Sequence, residues 1–318
     1  MKLVEAMELY TSWLVGAGRS PRTVASYQQR FRRLLLYHEI CREMDLESIT
    51  PEMLDRWAAS LAGDQSLFET NEFRPTCTGR LSPASRHGYI QAAKTFFNWC
   101  ARRGYVTVNP AAYLEKPQLQ HGAEEKLMSR EDLYLMLKAA ESHLRDLALL
   151  MFAVDTGARR GEIASLTTPG LMLDRRDAWV VGKTGRRLVD FTSKTAEVMT
   201  LWLAERPLVS HDYVFVSLSS NTYGQPLTVW GVYGVFKRLG RRAGVKGRFN
   251  PHALRHLVGQ SWVDHVNLEL TRQKLGHKSV STTAMIYAHQ DRSRLKAATT
   301  FVSLSNHLRT REEDDKEG

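Results

Sequence analysis

The chain has 318 residues, 43% hydrophobic and 25% charged, a length for about two domains and a composition that excludes a disordered chain. Its 44 lysines and arginines against 34 aspartates and glutamates leave a formal charge of +10, which favours an acidic polymer as partner, nucleic acid before membrane. Residues 311–318, REEDDKEG, hold several of the acids, so the rest of the chain is more basic than the total.

Cys41, Cys77 and Cys100 show no CxxC spacing, which argues against a zinc site or a disulfide framework and for reduced thiols in a cytosolic protein. No run of about 18 apolar residues is present, so no membrane-spanning helix is expected. The start, MKLVEAMELYTSW, places acids within an amphipathic pattern and does not read as a signal peptide.

In chain order, an amphipathic helix is expected over residues 3–15. In SPRTVASYQQRFRRLLLYH, Ser20 is placed to cap and Pro21 to take the first helical position. Val24, Tyr27, Phe31 and Leu34 follow at helical spacing. Thr50-Pro51 opens a further helix with Met53, Trp57 and Leu61 on one face. Ser82-Pro83 opens another, with Tyr89, Ala93, Phe96 and Cys100 inward and Arg86, His87, Lys94, Arg102 and Arg103 outward. Residues 1–108 therefore read as a small helical domain with basic outer faces. Residues 109–126, with two prolines and little periodicity, read as a linker.

A mixed domain is expected over 127–302, followed by a charged tail, 303–318. Ser129 and Asp132 form a capping box for DLYLMLKAA. A helix through Leu147 and Val154 runs into a turn at Thr156-Gly157, and a short helix follows. AWVVG and RRLVDF pair as a hairpin around Lys183-Thr184-Gly185. Ser193 is expected to cap the next helix, and residues 213–217, YVFVS, to form a short strand. From Thr228 the pattern is helical again.

Gly182-Lys183-Thr184 imitates the end of a phosphate-binding P-loop. The signature needs a glycine five places earlier, where Asp177 stands, and a strand-to-helix turn rather than a hairpin. Nucleotide binding is rejected on both grounds. A different set is more informative. Arg159 follows a glycine turn in TGARRGEIASL; Lys183 lies on the hairpin; NPHALRH puts His252 and Arg255 on one helical face. LGHKSVSTTAMIYAH then supplies His277 and Tyr287. Each residue alone has an ordinary explanation: a surface cation, a solvated lysine, a structural His-Arg pair, a cap, a core tyrosine.

As an ordered set, TGARRGE, GKTGRR, HALRH and LGHKS-STT-Y-H resemble the tyrosine site-specific recombinases, the family of phage integrases and Xer-type recombinases. The gap of 24 residues from Arg159 to Lys183 also fits. The resemblance covers nearly the whole chain. It implies a mainly α protein with a small β-hairpin or sheet: an N-terminal helical, SAM-like core-binding domain and an α+β catalytic domain. It also implies a DNA strand transferase in which Tyr287 attacks a phosphodiester to give a 3′-phosphotyrosyl link. Arg159 and Arg255 match the arginines that hold the non-bridging oxygens, and Lys183 the donor to the leaving 5′-oxygen. His252 matches the position of proton transfer with the tyrosine and His277 a phosphate ligand, while Glu162 matches a buried structural acid. The link conserves bond energy, so no cofactor, metal or ATP is implied. His277 to Tyr287 is one residue longer than the family's usual spacing; an extra residue turns a helix by about 100°, so a bulge or loop before Tyr287 is expected.

The implied partner is duplex DNA with a specific recombination site, bound by a homotetramer on two sites. Candidate DNA-contacting cations are Arg22, Arg30, Arg86 and Lys94 in the first domain and Arg241, Arg242 and Lys246 in the second, most of them positioning rather than specifying. Residues 299–308, TTFVSLSNHL, suit either docking on a neighbouring subunit or packing within the chain. A cytoplasmic protein of a bacterium, an archaeon, a phage or a mobile element fits. Two alternatives stay open at this point: a type IB-like topoisomerase, and a catalytically inactive DNA-binding protein on the same fold.

Overall fold

Three helices of the N-terminal region start where a hydroxyl and a proline stand together. Ser20 accepts from the Thr23 amide at 3.3 Å, Thr50 from Met53 at 3.4 Å and Ser82 from Ser85 at 3.2 Å, each with proline in the first turn. A side-chain oxygen there replaces the missing intrahelical acceptor, and proline has no amide to leave unpaired. The computed structural model describes residues 1–67, 75–118, 128–182 and 185–276. The chain divides into two compact units, Met1–Ala123 and Glu124–Gly318. The prediction of a mainly helical protein with small antiparallel sheets holds.

In the first unit, α1 (Leu3–Gly16), α2 (Pro21–Leu35), α3 (Pro51–Ser60) and α4 (Pro83–Arg102) enclose one core. Tyr10 lies at its centre, edge-on to Tyr27, Phe96 and Trp99 at 5.3, 5.7 and 5.2 Å, geometries that the aromatic quadrupole favours. The stripe read from α2 is inward at Phe31 and Leu34, and that of α4 at Ala93, Phe96 and Cys100. A short hairpin, β1 (Asp64–Leu67) and β2 (Cys77–Arg80), was not foreseen. Its strands are largely exposed, so they carry no buried alternation to read. Arg33 of α2 ties it down, donating to Gln65 Oε1 and to the Ser66 carbonyl, both at 2.7 Å. Ala111 and Leu114, in the stretch expected as linker, sit in this unit's core.

The second unit contains α5 (Arg130–Ala140), α6 (Leu144–Thr156), α7 (Arg160–Ala164), α8 (Ser193–Glu205), α9 (Val229–Arg242), α10 (Pro251–His265) and α11 (Leu268–Leu275). A three-stranded antiparallel sheet, β3 (Leu171–Met172), β4 (Asp177–Gly182) and β5 (Gly185–Asp190), runs in the order β3-β4-β5. Ala178 and Val180 of β4 are buried while Trp179 and Val181 are exposed, the alternation expected of a sheet with one face on the core. Gly182 pairs with Gly185, so β4 is followed by an antiparallel strand and not by a helix, which removes the P-loop reading.

Two local expectations are corrected. Thr192, not Ser193, caps α8: its hydroxyl accepts from the Thr195 amide at 3.3 Å, and Asp155 Oδ2 receives Thr192 N, Thr192 Oγ1 and Thr195 Oγ1. Residues 213–217 form no strand. Val214, Phe215 and Val216 are all buried, and they contribute only to isolated bridges, Thr167 with Tyr213 and Val216 with Pro226. The segment splits its pairing between two partners, Val214 N donating to the Leu166 carbonyl at 2.9 Å while Ser217 N donates to that of Gln225 at 2.8 Å and Phe215 accepts from Leu227 N at 2.9 Å, so no continuous ladder forms. No helix among the described residues is long and apolar enough to cross a membrane.

Candidate active site

The site is built around Glu162. The turn at Gly157 ends α6 in the left-handed conformation, φ +58°, where glycine meets no Cβ penalty. A Cβ there would also lie 2.7 Å from Leu275 Cδ2. The turn delivers Arg159 to the N-cap of α7 and Glu162 to its first turn, completing a capping box: the Arg159 amide donates to Glu162 Oε2 at 2.9 Å. The Arg159 side chain donates to Oε1 at 2.9 Å, and Arg187 of β5 to Oε2 at 2.8 Å. Glu162 is 1% exposed.

Burial pushes the Glu162 carboxyl up, but the hydrogen bond and charge of Arg187, with those of Arg159, outweigh it and hold the group below its ordinary 4.5. The stability it contributes is thus present above that value and lost as pH falls through the lowered one. Glu162→Ala leaves two guanidiniums facing a gap and should cost about 3–5 kcal/mol. Thermal melts across the acid range check this: the variant should melt lower at neutral pH and lose less on acidification than the unaltered chain.

The same carboxylate sets the hairpin. A Cβ on Gly182 would meet Glu162 Oε1 at 2.8 Å and Cγ at 3.0 Å, so glycine there lets β4 close onto the acid. Lys183 follows directly and lies outside the described residues.

Asn250 caps α10, accepting from the amides of His252 at 3.0 Å and Ala253 at 2.9 Å, with Pro251 in the first turn. His252 and Arg255 are three apart but differ in burial: His252 is exposed, Arg255 only 5% so. Arg255 Nη1 donates to the Gly157 carbonyl at 2.6 Å and Nη2 to that of Leu275. His252 Nε2 lies 2.9 Å from His256 Nε2, the rings edge-to-face. One imidazole must donate and the other accept, so His256 bears on the tautomer of His252. Sequence reasoning left His256 out, although its i, i+4 spacing from His252 within HALRH was the available signal.

The end of α11 completes the arrangement. Its last carbonyls have no intrahelical partner and carry the negative end of the helix dipole. Three successive carbonyls each receive a guanidinium from a different element: Lys274 from Arg187 at 2.7 Å, Leu275 from Arg255, and Gly276 from Arg159 at a long 3.5 Å. Gly276 caps the helix with φ +62°. The structure therefore gathers Arg159, Arg255 and Glu162 where the chain enters His277. His277, Tyr287 and the segment between them lie outside the described residues, as does the stretch 299–308. Arg187 was absent from the sequence reading; within GKTGRRLVDF it looks like one more surface cation of a hairpin.

The candidate DNA-contacting cations differ in setting. Arg22, Arg241, Arg242 and Lys246 are exposed. Arg30 lies against Gly88 of α4, two residues from Arg86. Lys94 is tied inward, donating to the carbonyls of Ala112 at 3.0 Å and Leu114 at 2.7 Å.

The model of the phage integrase family matches residues 126–294, more than half of the chain. Tyrosine recombinase XerD of Listeria monocytogenes is 27% identical over 295 residues, 89% of this chain and 93% of that protein. Tyrosine recombinase XerC of Xylella fastidiosa is 31% identical over 215 residues, 66% of this chain and 71% of that one. The Tn1549 transposon integrase, solved with a circular-intermediate DNA, shares the fold with a TM-score of 0.72 at 16% identity, covering 94% of this chain and 99% of that one. With its ordered arginines, its α+β second unit and this match, the chain belongs to the phage integrase family of tyrosine site-specific DNA recombinases.

Proposed function

We propose that the chain cuts and rejoins duplex DNA at a specific site through a covalent 3′-phosphotyrosyl intermediate at Tyr287. The Tyr287 oxygen forms a bond to phosphorus as the bond from phosphorus to the 5′-oxygen breaks. His252 takes up the tyrosine proton, and Lys183 supplies a proton to the leaving 5′-oxygen. Arg159, Arg255 and His277 stabilise the charge that gathers on the non-bridging oxygens, the contribution a metal ion makes in many nucleases. The reverse attack by a 5′-hydroxyl restores a phosphodiester, so neither ATP nor a metal enters the cycle. The observation that carries this reading is the convergence of Arg159 and Arg255, from distant parts of the chain, on the carbonyls of Leu275 and Gly276 that lead into His277.

The exposed cations Arg22, Arg241, Arg242 and Lys246, with Arg30 and Arg86, are proposed as backbone contacts to DNA. Lys94 is the weakest of the original set, because its ammonium already holds two carbonyls of its own unit. Assembly as a homotetramer on two DNA sites, within a bacterial cytoplasm, completes the reading.

Nicked duplexes drawn from the sequences flanking the native gene test it. In chelator, with no nucleotide added, they should yield a covalent protein–DNA adduct at a 3′ end, and the free 5′-hydroxyl should be recovered. Tight, sequence-selective binding with no adduct on any nicked duplex would instead mark a DNA-binding protein without strand transfer. Relaxation of any supercoiled plasmid without site preference would mark a topoisomerase.

A further inference from the structure

We propose that Arg187 is a positioning residue of the strand-transfer reaction, a bridge that fixes Arg159 and the start of the His277 segment in one frame. This rests on the proposed chemistry of the site and adds to it a residue that never touches DNA.

Arg187 lies on β5, four residues beyond Lys183. Its guanidinium reaches two separate parts of the site: Nη2 to Glu162 Oε2 at 2.8 Å and Nη1 to the Lys274 carbonyl at 2.7 Å. The first contact supports the acid that holds Arg159 through both backbone and side chain. The second holds the end of α11. The aliphatic stem packs under the cap of that helix, since a Cβ on Gly276 would lie 2.7 Å from Arg187 Cδ. The neighbouring ion pair of Lys274 with Asp190, 2.7 Å, ties α11 to β5 a second time. One side chain therefore joins the hairpin of Lys183, the acid behind Arg159 and the residues before His277.

The pairing is bidentate in function: two N–H groups of one rigid planar fork serve two acceptors on different elements. Its side chain is 14% exposed, and its Nε is buried with no hydrogen-bond partner among the described residues. That leaves the two Nη contacts as the ones that fix its orientation. A lysine keeps the charge opposite Glu162 but, as a single point on a flexible stem, cannot hold both acceptors in fixed geometry. A displacement of about 1 Å in a group that meets the transition state costs on the order of 10²-fold in rate, so a residue acting in this way should show itself in the chemical step.

The test uses the full chain and the nicked duplex on which it forms its adduct. The scissile group is prepared either as the ordinary phosphate or as a neutral methylphosphonate, which has no anionic oxygen pair for Arg159 to stabilise. Arg187→Lys and Arg187→Gln should each slow single-turnover cleavage of the phosphate by about 10²-fold while leaving KM within about twofold. Their rates on the methylphosphonate should stay within about threefold of the unaltered chain. Arg159→Ala, run alongside, should show the same preference more strongly. Thermal melts set the assay temperature below every unfolding transition.

Unchanged phosphate cleavage in both Arg187 variants, with Arg159→Ala impaired, would overturn the role of Arg187 alone. Equal losses on both substrates, or a melting temperature too low for any assay, would show a general structural role and overturn it too. If Arg159→Ala cleaves the phosphate normally, the proposed chemistry itself fails and the inference falls with it.

Discussion

Tyr287→Phe is expected to abolish the covalent adduct while leaving DNA binding intact, the largest effect of any single substitution in this chain. Phenylalanine removes one oxygen and nothing else, so packing and charge are kept. An unperturbed tyrosine has a pKa of about 10 and is ionised about one time in a thousand at pH 7; its reactivity therefore depends on the groups around it, and without its oxygen those groups have nothing to activate. A loss of about 10⁴-fold or more is expected, comparable to removal of a nucleophile elsewhere. Adduct gels with labelled nicked duplex, beside a binding isotherm for the same DNA, measure it. An adduct that persists in Tyr287→Phe moves the nucleophile to another hydroxyl, and the longer spacing from His277 makes that outcome the one to look for first.

Arg255→Lys should have the next largest effect. Arg255 is almost fully buried, yet it is held by carbonyls from two elements, Gly157 before α7 and Leu275 at the end of α11. A planar fork fits two acceptors and still presents a fixed edge to a phosphate, whereas an ammonium offers one point charge. Loss of one preorganised donor to a transition-state oxyanion costs about 10²–10³ in rate. Single-turnover cleavage should fall by that amount or more, with KM for DNA little changed. A variant that cleaves normally but melts lower would reduce Arg255 to a structural tie between α10 and α11.

The ion-pair pattern separates two uses of positive charge in this basic chain. Asp146 is 1% exposed and receives Arg145 Nη2 and Arg238 Nη2, each at 2.6 Å, while Arg145 Nη1 also reaches the Val216 carbonyl. These arginines fasten α6, α9 and the 213–217 segment together. Arg145, its side chain 8% exposed, counts toward the formal +10 without reaching the surface, so net charge alone overstates the charge open to DNA.

Much of the molecule was legible in its sequence because local rules act locally. Hydroxyl-proline pairs announced the starts of α2, α3 and α4, and apolar spacing announced their inward faces, since a cap or a stripe needs only near neighbours in the chain. The hairpin β4–β5 was legible for the same reason, and the ordered motifs from TGARRGE to LGHKS carried the family resemblance. Other features depended on residues far apart in sequence. β1 and β2 have too little burial to leave an alternating pattern. The 213–217 run looks like a strand, but it bridges two different segments, at Thr167 and at Pro226, one pair each. Lys94 falls on the outward side of its helix by spacing, yet it turns back onto two carbonyls some 20 residues on. Arg187 reads as a solvated hairpin cation until folding brings Glu162 and Lys274 within reach of one guanidinium. The sequence by itself determined which chemistry the chain carries, because that depends on residue types in order; only the tertiary structure decided which arginine supports which, because a buried carboxylate and the open end of a helix select their partners by distance.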